Sequence, residues 1–208
     1  MITQNQQKLS HTDVGRTHGA RVDGIIRGMM LHARESTSER RLVDVHALLD
    51  EAINLAYHSA RARIPGFEMT VVRNFDPALP AVEAMPQEIS RVLINLLSNA
   101  IDAIHARKLS TREGYIPEIR ISTSRNDELV ELRIRDNGVG VPREIRDKLF
   151  LPFVTSKPAG TGTGLGLSIS HDIVVKGHAG TLTLEPDDGS STEFRLCLPF
   201  KNPVRDAV

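Results

Sequence analysis

Apolar residues recur along this chain with two periods, and each stretch indicates the element it can form. Over residues 17–34, Val22, Ile25, Ile26, Met29 and Ala33 fall at helical spacing, with Arg21, Arg27 and Arg34 off that stripe. Gly19, Gly24 and Gly28 each weaken such a helix by up to about 1 kcal/mol relative to alanine. It therefore needs a partner, either its own domain or, as expected here, the seam of a dimer. The polar run ESTSER reads as a linker, and Asp44 is placed to cap a helix carrying Leu48, Leu49, Ala52, Ile53 and Ala56. A strand is predicted over 69–75, a loop at DPALP, and a short second strand over 81–85.

The clearest pattern follows Pro86. Ile89, Val92, Leu93, Leu96, Leu97, Ala100, Ile101 and Ile104 form one broad apolar face of a helix. Glu88, Arg91, Asn95, Asn99 and Asp102 fall together on the opposite, wet side. Alternating strands are predicted over 119–123 and 130–134, joined by the turn-like Arg125-Asn126-Asp127-Glu128. A second hairpin runs from 181–184 through Asp187-Asp188-Gly189 to a strand on which Phe194, Leu196, Leu198 and Phe200 alternate. Helices gathered beside an antiparallel-type sheet predict an α/β (α+β) fold, a two-layer sandwich.

Composition narrows the class. The 208 residues suffice for one domain of ordinary size plus an appendage. With 40% hydrophobic and 25% charged residues the chain is of the folded, soluble kind. Basic and acidic side chains balance at 26 each, so no net field draws it to nucleic acid or an anionic membrane. The single cysteine, Cys197, excludes an intramolecular disulfide and fits a reducing compartment. No apolar run approaches the roughly 20 residues of a membrane span, and the polar start MITQNQQ is no signal peptide. The expectation is a cytoplasmic domain, whose full-length parent can still be membrane-attached through another segment.

Four polar or glycine-rich elements carry the candidate chemistry. Asn95 and Asn99, four residues apart, can set amide oxygens beside a hard cation such as magnesium, although asparagines on a wet helix face are commonly just solvated. Asp136-Asn137-Gly138-Val139-Gly140 follows a strand. Its carboxylate can accept from an exocyclic amine such as adenine's, while Asp-Asn-Gly is equally a hairpin turn. In Leu149-Phe150-Leu151-Pro152-Phe153-Val154-Thr155-Ser156-Lys157, the phenylalanines can anchor a lid or simply fill core. Gly160-Thr161-Gly162-Thr163-Gly164-Leu165-Gly166-Leu167-Ser168 runs into an apolar stretch over 169–175, offering free N–H groups and a positive helix end to phosphates. It lacks the Gly-Lys-Ser/Thr ending of the P-loop, and dinucleotide spacing fails because Leu165 or Leu167 stands at the third glycine position.

In order, NLLSNAIDA, DNGVGVP, LFLPFVTSK and GTGTGLGLSIS closely resemble the N, G1, F and G2 boxes of the sensor histidine kinase catalytic domain. That domain belongs with gyrase, Hsp90 and the mismatch-repair ATPases. The resemblance covers residues 42–200 and implies a Bergerat-type sandwich holding ATP between the helix after Pro86 and a lid over 155–163. It implies Asn99 as the principal Mg2+ ligand and Asp136 as the acceptor of the adenine amine, with Gly138, Gly140 and Val141 shaping the base pocket. Asp102, Phe153, Thr155, Ser156 and Lys157 complete the ATP site, with Gly162, Thr163, Gly164, Leu165, Gly166, Leu167 and Ser168 around the phosphates. Asn95 stands where ATP-hydrolysing relatives carry a glutamate base. An amide cannot take a proton from water, which favours transfer to an acceptor over hydrolysis. Lys157 is expected to join Asn95 in catalysis: other members carry lysine and tyrosine after the N-box alanine, and Lys157, or an arginine, is expected to supply that missing positive charge.

The departure lies at the front. The family's phosphoacceptor motif, a histidine followed by an acidic residue and then a proline, does not occur. THGARVDGIIRGMMLHARES instead resembles the second helix of the dimerisation and phosphotransfer hairpin. His11, His18 and His32 share a helical side there and are expected as seam histidines rather than phosphoacceptors. The division implied is a partial hairpin helix (1–35), a linker (36–41), the ATP-binding domain (42–202) and a tail (203–208). The expected function is transfer of the ATP γ-phosphoryl group to a histidine supplied elsewhere in the assembly. The expected partners are ATP, a histidine-containing phosphotransfer hairpin, a cognate response regulator and a second copy of the full-length parent. A regulatory nucleotide-binding module and an anti-sigma-type serine kinase are the alternatives.

Overall fold

The computed structural model describes residues 39–111, 114–126, 128–158, 162–186 and 190–201. The helix expected over 17–34, His11, His18, His32, the early linker, Gly160, Thr161, the turn centre 187–189 and the tail lie outside the described residues.

Asp44 caps a helix as its position predicts. Its carboxylate accepts from the N–H groups of His46 and Ala47 at 2.8 and 3.2 Å, satisfying two donors that a helix start leaves orphaned. The helix it opens, α1 (Val45–Arg63), buries Leu49, Ala52, Ile53, Ala56 and Ala60. It stops before Pro65, which forces Ile64 into extended geometry. Gly66 at φ +67 then turns the chain. Just ahead of α1, Arg41–Val43 form β1, which pairs antiparallel with β3 (Val82–Ala84). The linker boundary expected at residue 41 therefore falls inside a paired strand. Three residues are too few to show a period, so the sequence pattern gives no sign of it.

The long helix α2 (Pro86–Ser110) starts on proline, whose missing N–H costs nothing in the first turn. Its expected apolar face is buried throughout, with Leu93, Leu96, Leu97, Ile101 and Ile104 at 1% exposure or less. Each such side chain contributes on the order of 1.5–3 kcal/mol relative to an exposed one. Against α1 and α2 packs a five-stranded sheet in the order β2-β4-β5-β7-β6, formed by Thr70–Asn74, Glu118–Arg125, Leu129–Asp136, Thr192–Pro199 and Thr181–Leu184. Ile119, Ile121, Val130, Leu132, Ile134, Phe194, Leu196 and Leu198 alternate inward from it. The outer face carries ion pairs, with Arg133 within 2.7 Å of both Glu131 and Glu193.

Two expectations are corrected. The sheet is mixed rather than antiparallel, because β2 runs parallel to β4, Thr70 opposite Glu118. The intervening α2 carries the chain through the helical layer, so it re-enters the sheet in the same direction. The apolar stretch after the glycine loop is not one α-helix. It forms α4 (Gly166–Asp172), following the short α3 (Arg143–Arg146), and then widens into a π-helical turn over Ile173–Gly177. That turn delivers His178 beneath the start of α2, where Nε2 accepts from the Met85 N–H at 3.0 Å and Nδ1 donates to the Ile173 carbonyl at 2.8 Å. Arg40 donates to the neighbouring Gly177 carbonyl, tying the entering chain to the same corner. Among the described residues no helix is long and apolar enough to cross a membrane.

Candidate functional site

Asp136 is the next inward position after Val130, Leu132 and Ile134 on β5, so a carboxylate takes its turn in the core-facing series. It is 3% exposed, and Oδ1 accepts from the Gly138 N–H at 2.8 Å. A Cβ on Gly138 would lie 2.6 Å from the carbonyl carbon of Ala103. Glycine is therefore what lets this loop rest directly on α2, and Gly138 forms the wall behind the carboxylate rather than the lining itself. Asn137 anchors the loop outward. Its Oδ1 accepts from the Tyr115 hydroxyl at 2.8 Å and the Glu118 N–H at 3.0 Å, and its Nδ2 donates to the Ile116 carbonyl at 2.8 Å.

Asn95, Asn99 and Asp102 follow one another along α2, but their side is half-buried rather than fully wet. Asn95 Nδ2 donates to the buried Ser170 of α4 at 3.0 Å. Lys157 covers the other two, with Nζ 3.1 Å from Asn99 Oδ1 and 2.7 Å from Asp102 Oδ2. The remaining Asp102 oxygen accepts from Arg63 at 2.7 Å. The polar side of α2 is thus roofed by two later segments, which its own periodicity cannot reveal.

The glycines make that roof possible. A Cβ on Gly166, the first residue of α4, would come 2.3 Å from Asn95 Oδ1. One on Gly164, at φ +65, would come 2.4 Å from the carbonyl carbon of Phe153. The Phe153 N–H donates to the Gly164 carbonyl at 2.9 Å, so glycine loop and lid run in backbone contact. Phe153 itself adopts φ 66, is 61% exposed and does not line the cavity. Phe150 packs inward, edge-on to Phe194 with centroids 6.4 Å apart.

These segments enclose a cavity of about 440 Å3, within the roughly 300–1,000 Å3 usual for small-molecule sites. Asp136, Gly140 and Val141 are among its lining residues. Asn95, Asn99, Asp102, Thr155, Ser156, Lys157, Gly162, Thr163, Gly164, Gly166 and Leu167 of the expected set line it as well. Gly138, Phe153, Leu165 and Ser168 of the expected set do not reach it. Ser168 is buried and donates to the Leu165 carbonyl at 3.0 Å, a bond internal to the loop-to-helix turn. The sequence reading did not assign ten further lining residues to the site, among them Ala100, Ala103, Thr192 and Phe194. Thr192 stands directly across the sheet from Asp136, so only the β5–β7 register identifies it. Among the described residues no three His, Cys, Asp or Glu side chains gather into a metal cage. Asn99 beside Asp102 suits a hard cation that brings most of its own oxygen ligands.

The family model described as "Histidine kinase-, DNA gyrase B-, and HSP90-like ATPase" matches residues 84–202, from the end of β3 past β7. The sensory histidine kinase/phosphatase NtrB of Rhizobium leguminosarum bv. phaseoli is 31% identical over 186 residues, covering 86% of this chain and 46% of that protein. The sensor histidine kinase ZraS of Escherichia coli K12 is 30% identical over 164 residues, 79% of this chain and 32% of that one. The chain thus spans less than half the length of these relatives. Among solved structures, the catalytic domain of the histidine kinase ThkA in a nucleotide-free form superposes with TM-score 0.64 at 28% identity, covering 79% of this chain and 97% of that domain.

Proposed function

The chain belongs to the family of histidine kinase-, DNA gyrase B- and HSP90-like ATPases, and from that premise we propose that it is the ATP-binding catalytic domain of a sensor histidine kinase. It binds ATP with Mg2+ and passes the γ-phosphoryl group to a histidine on a phosphotransfer hairpin, from which a response regulator takes it. The observation that carries this is one cavity lined together by a buried carboxylate, the Asn95 and Asn99 amides, a glycine loop and a lysine.

Each residue has a task its surroundings fit. Asp136, held by the Gly138 N–H, keeps one oxygen engaged and accepts from the adenine amine. Asn99 supplies an amide oxygen to the magnesium ion, which, when bound, neutralises phosphate charge and orients the terminal group. Asn95 is fixed by Ser170 and offers no base to a water molecule, so the site positions an acceptor rather than activating hydrolysis. Gly162, Gly164 and Gly166 bring backbone close to the phosphates, and Thr155, Ser156 and Lys157 close over them. Catalysis of this kind rests on positioning and charge, which suits a site whose polar groups are held by second partners. In the full-length parent the reading extends to a homodimer that brings hairpin and catalytic domain together.

Calorimetric titration with MgATP tests the first half, with Asn99→Ala expected to lose most of the magnesium-dependent affinity. Normal MgATP binding by that variant would sink the assignment. Radiolabelled ATP tests the second half: acid-labile label should appear on an added hairpin domain carrying the family histidine.

A further inference from the structure

Arg107 lies one helical turn beyond Ala103 on α2 and outside the cavity lining. Its Nη1 donates to the backbone carbonyls of Asn137 at 2.8 Å, Gly138 at 3.3 Å and Ser190 at 2.8 Å. The guanidinium carbon sits 5.1 Å from the centroid of the Tyr115 ring, a distance at which cation and ring attract. The Tyr115 hydroxyl shares its proton between the Asn137 carbonyl at 3.1 Å and Asn137 Oδ1 at 2.8 Å. The loop that follows Asp136 is therefore gripped from two sides by one helix. Gly138 seats it on Ala103, and Arg107 gathers its outward carbonyls together with the β6–β7 hairpin. With the Asn137 carbonyl turned toward the guanidinium, the Gly138 N–H of the same peptide group faces inward, where it bonds Asp136.

We propose that Arg107, braced by Tyr115, is the positioning residue that fixes Asp136 relative to α2 and so sets the pocket's preference for a 6-amino purine. This rests on the reading of Asp136 as acceptor of the adenine amine. A carboxylate there gains a charge-assisted bond from the amine of ATP. The 6-oxo group of ITP instead brings an acceptor against an acceptor, so the bond is lost and two oxygens repel. That discrimination depends on the carboxylate staying in place. Moving the loop by a fraction of a bond length weakens recognition of the amine, while the phosphate end, held by Asn99 and the glycine loop, is untouched. Arg107 contacts no nucleotide in this account and acts through the backbone it holds.

The test is the ratio of MgATP to MgITP affinities, measured by calorimetry on the intact chain. The wild-type protein should favour ATP at least about tenfold, as one good hydrogen bond to a charged group requires. Arg107→Met should lower that ratio to near unity. Arg107→Lys, whose ammonium also carries three donors, should recover part of it. Tyr115→Phe removes a single hydroxyl and should lower the ratio less, keeping the test available if Arg107→Met fails to fold. Loss of stability alone would weaken both nucleotides together and leave the ratio as it was. If the wild-type protein does not distinguish ATP from ITP, the adenine reading of Asp136 falls and this inference with it. If the wild-type protein distinguishes them and both Arg107→Met and Tyr115→Phe keep the full ratio, the reading stands and Arg107 is no more than a structural tie.

Discussion

Lys157 donates to Asp102 across 2.7 Å, and the other oxygen of that carboxylate holds Arg63 at the same distance. One side chain of α2 therefore joins the lid to the end of α1. Both pairs are partly exposed, and such pairs contribute at most about 1 kcal/mol to stability. The ammonium also meets Asn99 Oδ1 at 3.1 Å, the oxygen proposed for Mg2+. An ammonium and a divalent cation on one oxygen repel, so loading the metal should send the lysine toward the phosphates.

Lys157→Met should consequently separate stability from function. Urea denaturation is expected to show a loss of no more than about 1 kcal/mol. Phosphoryl transfer to a supplied hairpin domain should fall tenfold or more. Transfer at the wild-type rate would remove the lysine from the catalytic set.

Gly166→Ala places a methyl group 2.3 Å from Asn95 Oδ1. Either Asn95 leaves its bond to Ser170 or α4 backs away from α2, and each widens the phosphate end of the cavity. MgATP affinity should drop by at least an order of magnitude, roughly 1.4 kcal/mol or more, in a titration. Unchanged affinity would mean that the loop does not approach the phosphates here.

His178 should make the fold acid-sensitive. Both ring nitrogens are committed with one proton between them, because the Met85 N–H needs an acceptor and the Ile173 carbonyl a donor. Burial, with some help from the nearby Arg40 charge and against the pull of the Ile173 carbonyl and Glu88, holds the imidazole below its ordinary 6.5. The unfolded chain therefore takes up the proton more readily. The contribution is fully present above about pH 6.5 and is lost as pH falls through the folded-state value. Thermal melts between pH 7.5 and 5 should show the decline, and His178→Gln should flatten it. Equal slopes in the two proteins would exclude this histidine as the cause.

Tyr115 titrates at the other extreme. Burial pushes its phenol to about 12, with Arg107 pulling it down and Asp136 pushing it up. An ultraviolet titration should show Tyr115 still protonated at pH 11, with Tyr115→Phe removing that late step. Stability from this group is complete below about 10 and is lost as pH rises through 12.

The parts of the fold that follow from local pattern were legible. Asp44 as a cap, the buried stripe of α2 and the inward alternation ending at Asp136 each arise from neighbours within a few residues. Cavity residues on the glycine loop and α2 were identified for the same reason. What escaped notice depends on partners far away in sequence. β1 exists only because β3 pairs with it, and Thr192 lines the cavity only through its register with Asp136. Arg107 looks like any charged residue near a helix end until the loop after β5 folds back onto it. Phe153 is not among the residues lining the cavity, since a motif specifies residue type but not which way a side chain points. The π turn before His178 has no signal in apolar spacing, because it adds one residue to a helix without changing its composition.

The parallel pairing of β2 with β4 has a consequence for the order of assembly. Thr70 finds Glu118 only after all of α2 has been laid down between them, a long loop to close before any contact rewards it. The β4–β5 and β6–β7 pairings join segments near in sequence and carry most of the cavity's sheet wall. Stopped-flow folding should therefore register those hairpins early and the β2 edge last. In a chain emerging from the ribosome, β2 is made first among these strands and must wait, unpaired, for its neighbour.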